Sequence, residues 1–275
     1  MIYKTNLTKL QQSLSIAALL TALPLLITTP ASAQDQSAQE RGLAIATEAK
    51  VRDTGWGDSS ASMIMVLKNK QGQESSRELR VKALELDNDG DKSLTVFDKP
   101  LDVKGTSFLS FSHIDTPDDQ WLFLPALKRV KRISSRNKSG PFMGSEFAFE
   151  DLSSFEVDKY SYTYLNDETI DGMELYVIEQ IPNDEFSGYT KRVAWLDKVH
   201  YRPFKIDFYD RKGSLLKTLT FSRYQQYLGK FWRAEESTMI NHQSGKSTLL
   251  SYSDYKFNIG LKDSDFNKNT LKRAR

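Results

Sequence analysis

Beyond Gly57 nearly every stretch of the chain alternates apolar with polar positions. Met63, Met65 and Leu67 share one side of a run, and Leu79, Val81 and Ala83 are interleaved with Glu78, Arg80 and Lys82 in the next. A period of two puts successive side chains on opposite faces, so these runs predict strands with one dry and one wet face. Turn signals separate them at hairpin spacing: Asn69-Lys70-Gln71-Gly72, Asp89-Gly90-Asp91, Asp171-Gly172, Asp210-Arg211-Lys212-Gly213, Leu228-Gly229-Lys230 and Gln243-Ser244-Gly245-Lys246. Sequential hairpins give a meandering antiparallel sheet, and a twisted sheet of roughly ten strands must curl or close. Ahead of the strands, from Gln36 to about Asp53, Leu43, Ile45, Ala46 and Ala49 are spaced among Glu40, Arg41, Glu48 and Lys50 as in a helix, which ends at Gly55-Trp56-Gly57. The expected class is mainly β (α+β): a barrel or part-barrel with helices available to plug or cover it.

One segment breaks the rhythm. Between Arg132 and Ser153 the chain is first polar and then crowded with Phe142, Met143, Phe147 and Phe149. Irregular stretches of this length inside a compact domain are usually functional or mobile. A loop with a short helix near Phe147 to Ser153, laid on an apolar surface, is expected here.

The N-terminus carries Lys4 and Lys9 with no acid, an apolar stretch from Leu14 to Ile27 broken by Thr21 and Pro24, and then Ala31-Ser32-Ala33 before Gln34. These are the three regions of a secretory signal peptide. The apolar stretch is shorter than the roughly 20 residues of a spanning helix. Cleavage after Ala33 is therefore expected, leaving residues 34–275 as one domain with no stable membrane insertion. The chain has no cysteine, which excludes disulfides, thiolate nucleophiles and cysteine metal sites. Its 38 basic residues include the two lysines of the leader, so the remainder balances 36 acidic residues evenly. A neutral exported chain lacks the extended basic surface that nucleic-acid binding requires.

Several motifs are weighed and set aside. Ser244-Gly245-Lys246-Ser247-Thr248 resembles the end of a phosphate-binding loop, but Ile240 stands where the earlier glycine is needed, so a hairpin turn is expected. Asp87, Asp89, Asp91 and Asp98 have calcium-loop spacing, yet Lys92 occupies the place of the glycine and strands flank the loop. His113, His200 and His242 belong to no paired-histidine motif and no nucleophile elbow. No metal, no cofactor and no catalytic residue is expected, and the chain is not expected to be an enzyme.

Trp121-Leu122-Phe123-Leu124-Pro125 reads as a strand apolar on both faces, followed by a cluster of cations that includes Arg129 and Arg132. One reading is a buried strand beside a basic, aggregation-resistant edge. The other is a greasy cleft wall with a cationic rim, suited to an acyl chain with an anionic head.

The run from Asp91 to Thr106, then Trp121 to Pro125, Arg132-Ile133, Phe142-Met143-Gly144-Ser145 through Glu150-Asp151-Leu152, Trp195-Leu196-Asp197, Tyr209 to Gly213 and Gly245 to Thr248 resembles the outer membrane lipoprotein-sorting proteins with a LolA-like domain, over nearly the whole of residues 34–275. The resemblance implies an unclosed antiparallel barrel, a LolA/LolB-like half-barrel, with helices over its concave side. It implies a periplasmic carrier of lipid, acylated protein or similar hydrophobic cargo. It also implies a branch associated with resistance-nodulation-division-type exporters, so a non-catalytic accessory subunit of an inner-membrane exporter is the alternative. Candidate cavity residues are Met63, Met65, Phe97, Phe108, Trp121, Phe123, Phe142, Met143, Phe147 and Phe149, with Arg129 and Arg132 as the head-group rim. Alternation alone leaves open which strand face points inward.

Overall fold

The protein is described by a computed structural model over residues 31–269 and 271–273. The expected signal peptide, residues 1–33, lies outside the described residues except for its last three, which belong to the first helix. That helix, α1, spans Ala31–Arg52. It stops where Asp53 and Thr54 turn back to the carbonyls of Lys50 and Val51 and where Gly55 and Gly57 adopt φ of 101° and 75°, a region that disfavours residues with a Cβ.

Thirteen strands follow: β1 Asp58–Lys68, β2 Glu74–Leu84, β3 Lys92–Lys99, β4 Ser107–Phe111, β5 Asp119–Leu124, β6 Arg129–Ile133, β7 Tyr160–Ile170, β8 Met173–Pro182, β9 Lys191–Asp197, β10 Pro203–Tyr209, β11 Leu215–Tyr227, β12 Phe231–Asn241 and β13 Ser247–Phe257. They form one antiparallel sheet in the order β6-β5-β4-β3-β2-β1-β13-β12-β11-β10-β9-β8-β7. Each of the six turn signals sits at a reversal between consecutive strands. The sheet is two meanders joined where β1 meets β13, in a register running from Ser59 opposite Phe257 to Lys68 opposite Ser247. β6 and β7 are its two edges, so the sheet is unclosed, as in a LolA-like half-barrel.

This strand order imposes one long excursion. The chain leaves the sheet at one edge, after β6, and must re-enter at the opposite edge, at β7. Residues 134–159 make that crossing as an irregular strap with short 3-10 turns at Ser135–Asn137, Phe149–Leu152 and Val157–Lys159. The strap runs over the inner face, where Phe142 and Phe147 join Met63, Met65, Leu79, Phe97, Phe108, Leu122 and Met239 in the main core. α1 packs on the other flank of that face, with Ile45 and Ala46 against Tyr162, Ile178, Ala194 and Leu196.

The outer face is covered separately. Leu94, Val96, Leu109, Trp121 and Phe123 pack beneath Phe266 and Leu271 of the C-terminal tail, and the buried Ser107 hydroxyl donates to the Leu271 carbonyl at 3.0 Å. On the far side Leu175, Val177, Val193 and Trp195 form a smaller outer cluster. β5 is apolar on both faces because both faces are core. The exposed side chains of Arg129, Lys131 and Arg132 sit on the β6 edge, where charge discourages pairing with another chain.

α1 lies close enough to β7 that only glycine fits at residue 42. A Cβ there would stand 2.7 Å from the Tyr164 amide nitrogen and 2.9 Å from the Thr163 carbonyl carbon. Gly42→Ala must push the helix off the strand, an overpacking cost of about 1–3 kcal/mol. A fall in urea midpoint of that size, followed by circular dichroism, is expected; an unchanged midpoint would show that the helix is free to shift.

Candidate functional site

The strap divides the inner face into a filled half and an open half. Over β1 to β6 it is driven into the sheet. The Phe142 ring packs 5.1 Å from Phe108, 5.7 Å from Phe149 and 5.9 Å from Phe97, centroid to centroid. The strap's backbone is tied down by side chains of the sheet. Arg77 Nη1 donates to the Met143 carbonyl at 2.6 Å, Gln120 Nε2 to that of Phe149 at 2.9 Å, and Lys217 Nζ to that of Glu146 at 2.8 Å. The Glu146 amide donates to Thr248 Oγ1 at 2.9 Å. These bonds satisfy polar groups that the aromatic packing takes out of water.

Beyond the aromatic cluster, α1, the later part of the strap and the inner face of β9 to β13 enclose a cleft of about 1080 Å³. Its wall is apolar at depth, formed by Phe147, Leu196, Ile206, Phe208, Leu219, Phe221, Leu250 and Tyr252. Around it stand paired charges. Lys50 meets Glu156 at 3.1 Å and Arg202 meets Asp197 at 2.8 Å, while Arg233 pairs with Asp53, Lys159 with Asp118 and Lys138 with Asp184. A buried charge is tolerated when it is paired in this way.

Three carboxyls of this lining are held above their ordinary range. Burial raises Asp91 to about 6; Glu156 and Glu85 add to the rise and Lys50 opposes it. Burial and then the neighbouring Asp151 raise Glu150, against hydrogen bonds from the Gly188 amide and the Ser187 hydroxyl. Burial also raises Asp53 despite the adjacent Arg233. The histidines reach no serine among the described residues. His113 Nδ1 lies 2.6 Å from Asp89, the His200 ring packs tilted against Trp232 with centroids 4.9 Å apart, and His242 Nε2 lies 2.8 Å from Thr218 Oγ1, which itself donates to Asp207.

The residues expected to line a cavity fall into three places. Met63, Met65, Phe97, Phe108 and Phe142 are buried in the main core beneath the strap, with Met143 and Phe149 packed partly buried against them. Phe147 alone among the ten borders the cleft. Trp121 and Phe123 require a correction: the parity of β5 points Leu122 inward and sends these two to the outer face, under Phe266 and Leu271. The expected rim needs one too, since Arg129 and Arg132 project from the β6 edge, Arg132 pairing with Asp119, and neither borders the cleft. The cleft instead belongs to β9–β13, whose residues carry the same alternation as the first half. What marks them is the absence of any aromatic-rich segment in the sequence to cover them.

Asp91 ties pH to stability. Its carboxyl titrates near 6 when folded against an ordinary 3.8, so the folded state favours the protonated form. The stability this provides is complete below about 3.8 and is lost as pH rises through about 6. Asp91→Asn should therefore raise the unfolding free energy at pH 7.5 by on the order of 1–2 kcal/mol once screening by water is allowed for. At pH 3.5 the variant and the parent should have equal urea midpoints; a variant less stable than the parent at pH 7.5 would contradict the assignment.

Three solved structures share this architecture. An outer membrane lipoprotein-sorting protein domain from Vibrio parahaemolyticus is 64% identical, with a TM-score of 0.84 over 86% of this chain and 100% of that one. A DUF1329 family protein from Desulfovibrio piger is 30% identical, with a TM-score of 0.81 over 85% and 99%. A LolA superfamily protein from Nitrosomonas europaea, 24% identical, superposes with a TM-score of 0.67 over 83% and 98%. Residues 89–273 match the sequence model of a family described as uncharacterized protein. No curated protein matches the chain. By its identity to these structures and its open thirteen-stranded sheet, the chain belongs to the outer membrane lipoprotein-sorting proteins with a LolA-like fold.

Proposed function

We propose that this protein is a periplasmic, non-catalytic carrier that takes a hydrocarbon chain of a lipid or an acylated protein into the cleft beneath α1 and passes it between envelope components. The observation that carries this reading is the cleft itself, about 1080 Å³ with an apolar floor. That volume lies just above the ~300–1,000 Å³ spanned by small-molecule sites. An acyl chain gains roughly 0.8 kcal/mol for each methylene withdrawn from water, so a chain crossing an aqueous space needs such a wall around it. Export through the leader cleaved after Ala33, with residues 34–275 acting as one unit, accords with this role. So does the kinship with a lipoprotein-sorting domain.

The strap is bonded to the sheet along its length, so the cover that moves in this reading is α1. The helix is followed by Gly55 and Gly57, and the ion pairs Lys50–Glu156 and Asp53–Arg233 tie its C-terminal end to the strap and to β12. A carrier must bind moderately, because a receptor draws off cargo only by its difference in affinity.

A second reading, that the cleft receives a segment of an inner-membrane exporter, is favoured by the exposed Val51 and Val199, 58% and 70% accessible. The Arg52 guanidinium, which borders the cleft, donates to the Val199 carbonyl at 2.6 Å. Crosslinking in the envelope would then trap one membrane protein in fixed proportion with no lipid aboard.

The carrier reading is tested by saturable uptake of a fluorescent fatty acid by delipidated protein. Ala234, on β12, borders the cleft. Ala234→Trp places a ring in that space and should weaken uptake about tenfold with little change in Tm, a loss of roughly 1.4 kcal/mol. Absence of any uptake by the parent protein, together with lipid-free protein from native envelopes by mass spectrometry, would end the proposal.

A further inference from the structure

We propose that Arg192 is the receptor for an anionic head group, so that the cargo of the cleft is an acidic amphiphile whose head is a carboxylate or a phosphate. The inference rests on the carrier reading and narrows its substrate class.

Arg192 is on β9, on the same face as Ala194 and Leu196, and borders the cleft. Of the seven other lysines and arginines there, Lys50, Arg52, Lys138, Lys159, Arg202 and Arg233 each pair with a carboxylate, and Lys230 donates to the Thr54 carbonyl at 2.8 Å. Arg192 pairs with none among the described residues. Its Nε and Nη2 both donate to Gln180 Oε1, at 3.1 and 2.6 Å. A neutral amide therefore stands where a carboxylate would neutralise it. The guanidinium lies 4.1 Å from the centre of the Tyr160 ring, with Phe155 and Phe208 both at 6.0 Å.

This arrangement orients a charge without cancelling it. The rings and the amide fix the plane of the guanidinium, and planar donors in a fixed fork suit two-oxygen acceptors. Nη1 has no partner among the described residues, whereas every buried side-chain nitrogen or oxygen has one. Nη1 is therefore reached by solvent, on a residue that borders the cleft. From it the apolar wall continues through Phe208 and Ile206 toward Leu219 and Leu250, so a charged head at Arg192 leaves its tail lying along the floor.

Three acids of the strap, Glu150, Asp151 and Asp158, border the same space, and the first two are already occupied. Asp151 accepts from Lys217 Nζ at 3.2 Å, the Tyr189 hydroxyl at 2.9 Å and the Ala148 amide at 2.7 Å. Glu150 accepts from the Ser187 hydroxyl and the Gly188 amide, both at 2.8 Å. None of the three ion-pairs with Arg192.

The test is isothermal titration of delipidated protein with oleate, 1-oleoyl lysophosphatidate and monoolein, each below its aggregation concentration. The parent protein should bind at least one of the two acids tenfold or more tightly than neutral monoolein. Preference for oleate alone assigns a carboxylate head, for the lysophosphatidate alone a phosphate, and for both the shared anionic chemistry. Arg192→Gln should abolish the preference while leaving monoolein affinity unchanged. Gln180→Glu should do the same by giving Arg192 an internal carboxylate, and decides the matter if Arg192→Gln does not fold. The proposal is overturned if the parent binds monoolein as tightly as the acids, or if the folded variants keep the tenfold preference. If none of the three ligands binds, the carrier reading itself falls.

Discussion

The single excursion from one sheet edge to the other governs this molecule. Two antiparallel meanders share a seam at β1 and β13, and their outermost strands are β6 and β7. Only residues 134–159 connect them, so one strap must be laid across the inner face. That strap carries Phe142, Phe147 and Phe149, enough aromatic volume to fill the face of the first meander. For the second it has only Phe155, which packs on Tyr160 beside α1 at the flank. A filled half and an open half follow from how far the aromatic residues of one segment reach.

Anchoring the strap takes polar chemistry as well as rings. Arg77, Gln120, Lys217 and Thr248, from four different strands, each meet a backbone group of the crossing. Strand side chains thus complete the hydrogen bonding of a segment that has no ladder of its own. The charges around the cleft are arranged by a related logic. Nearly all of its cations are matched to carboxylates, which keeps the lining close to neutral and leaves the unmatched guanidinium of Arg192 distinct from its surroundings.

Much of the fold was legible in the sequence, and the reasons can be assigned to particular residues. The six turns were readable because glycine, asparagine and aspartate stand where reversals need them, and the helix because its apolar spacing changes from two to about four. The LolA-like resemblance supplied the open sheet. The site was read less well. Trp121 and Phe123 share a strand with Leu122, and nothing local says which parity faces inward; Phe266 and Leu271, more than 140 residues later, decide it by covering the outer face. Phe142 and its neighbours, read as lining a cavity, lie on the inner face in the packed core, so their abundance marks the part that is filled. The cleft wall of Ile206, Leu219 and Leu250 is composed of ordinary strand residues, and its openness is a property of what fails to reach it.

The seam between β1 and β13 has a temporal meaning. Ser59 pairs with Phe257 and Lys68 with Ser247, so the centre of the sheet cannot be assembled until almost the entire polypeptide has been synthesised. Contacts so remote in sequence are slow to form because a long loop must close before they are rewarded. A chain built this way stays unfinished while it emerges, with its middle strands unmated. Its shape is settled by the last strand to be made rather than by the first.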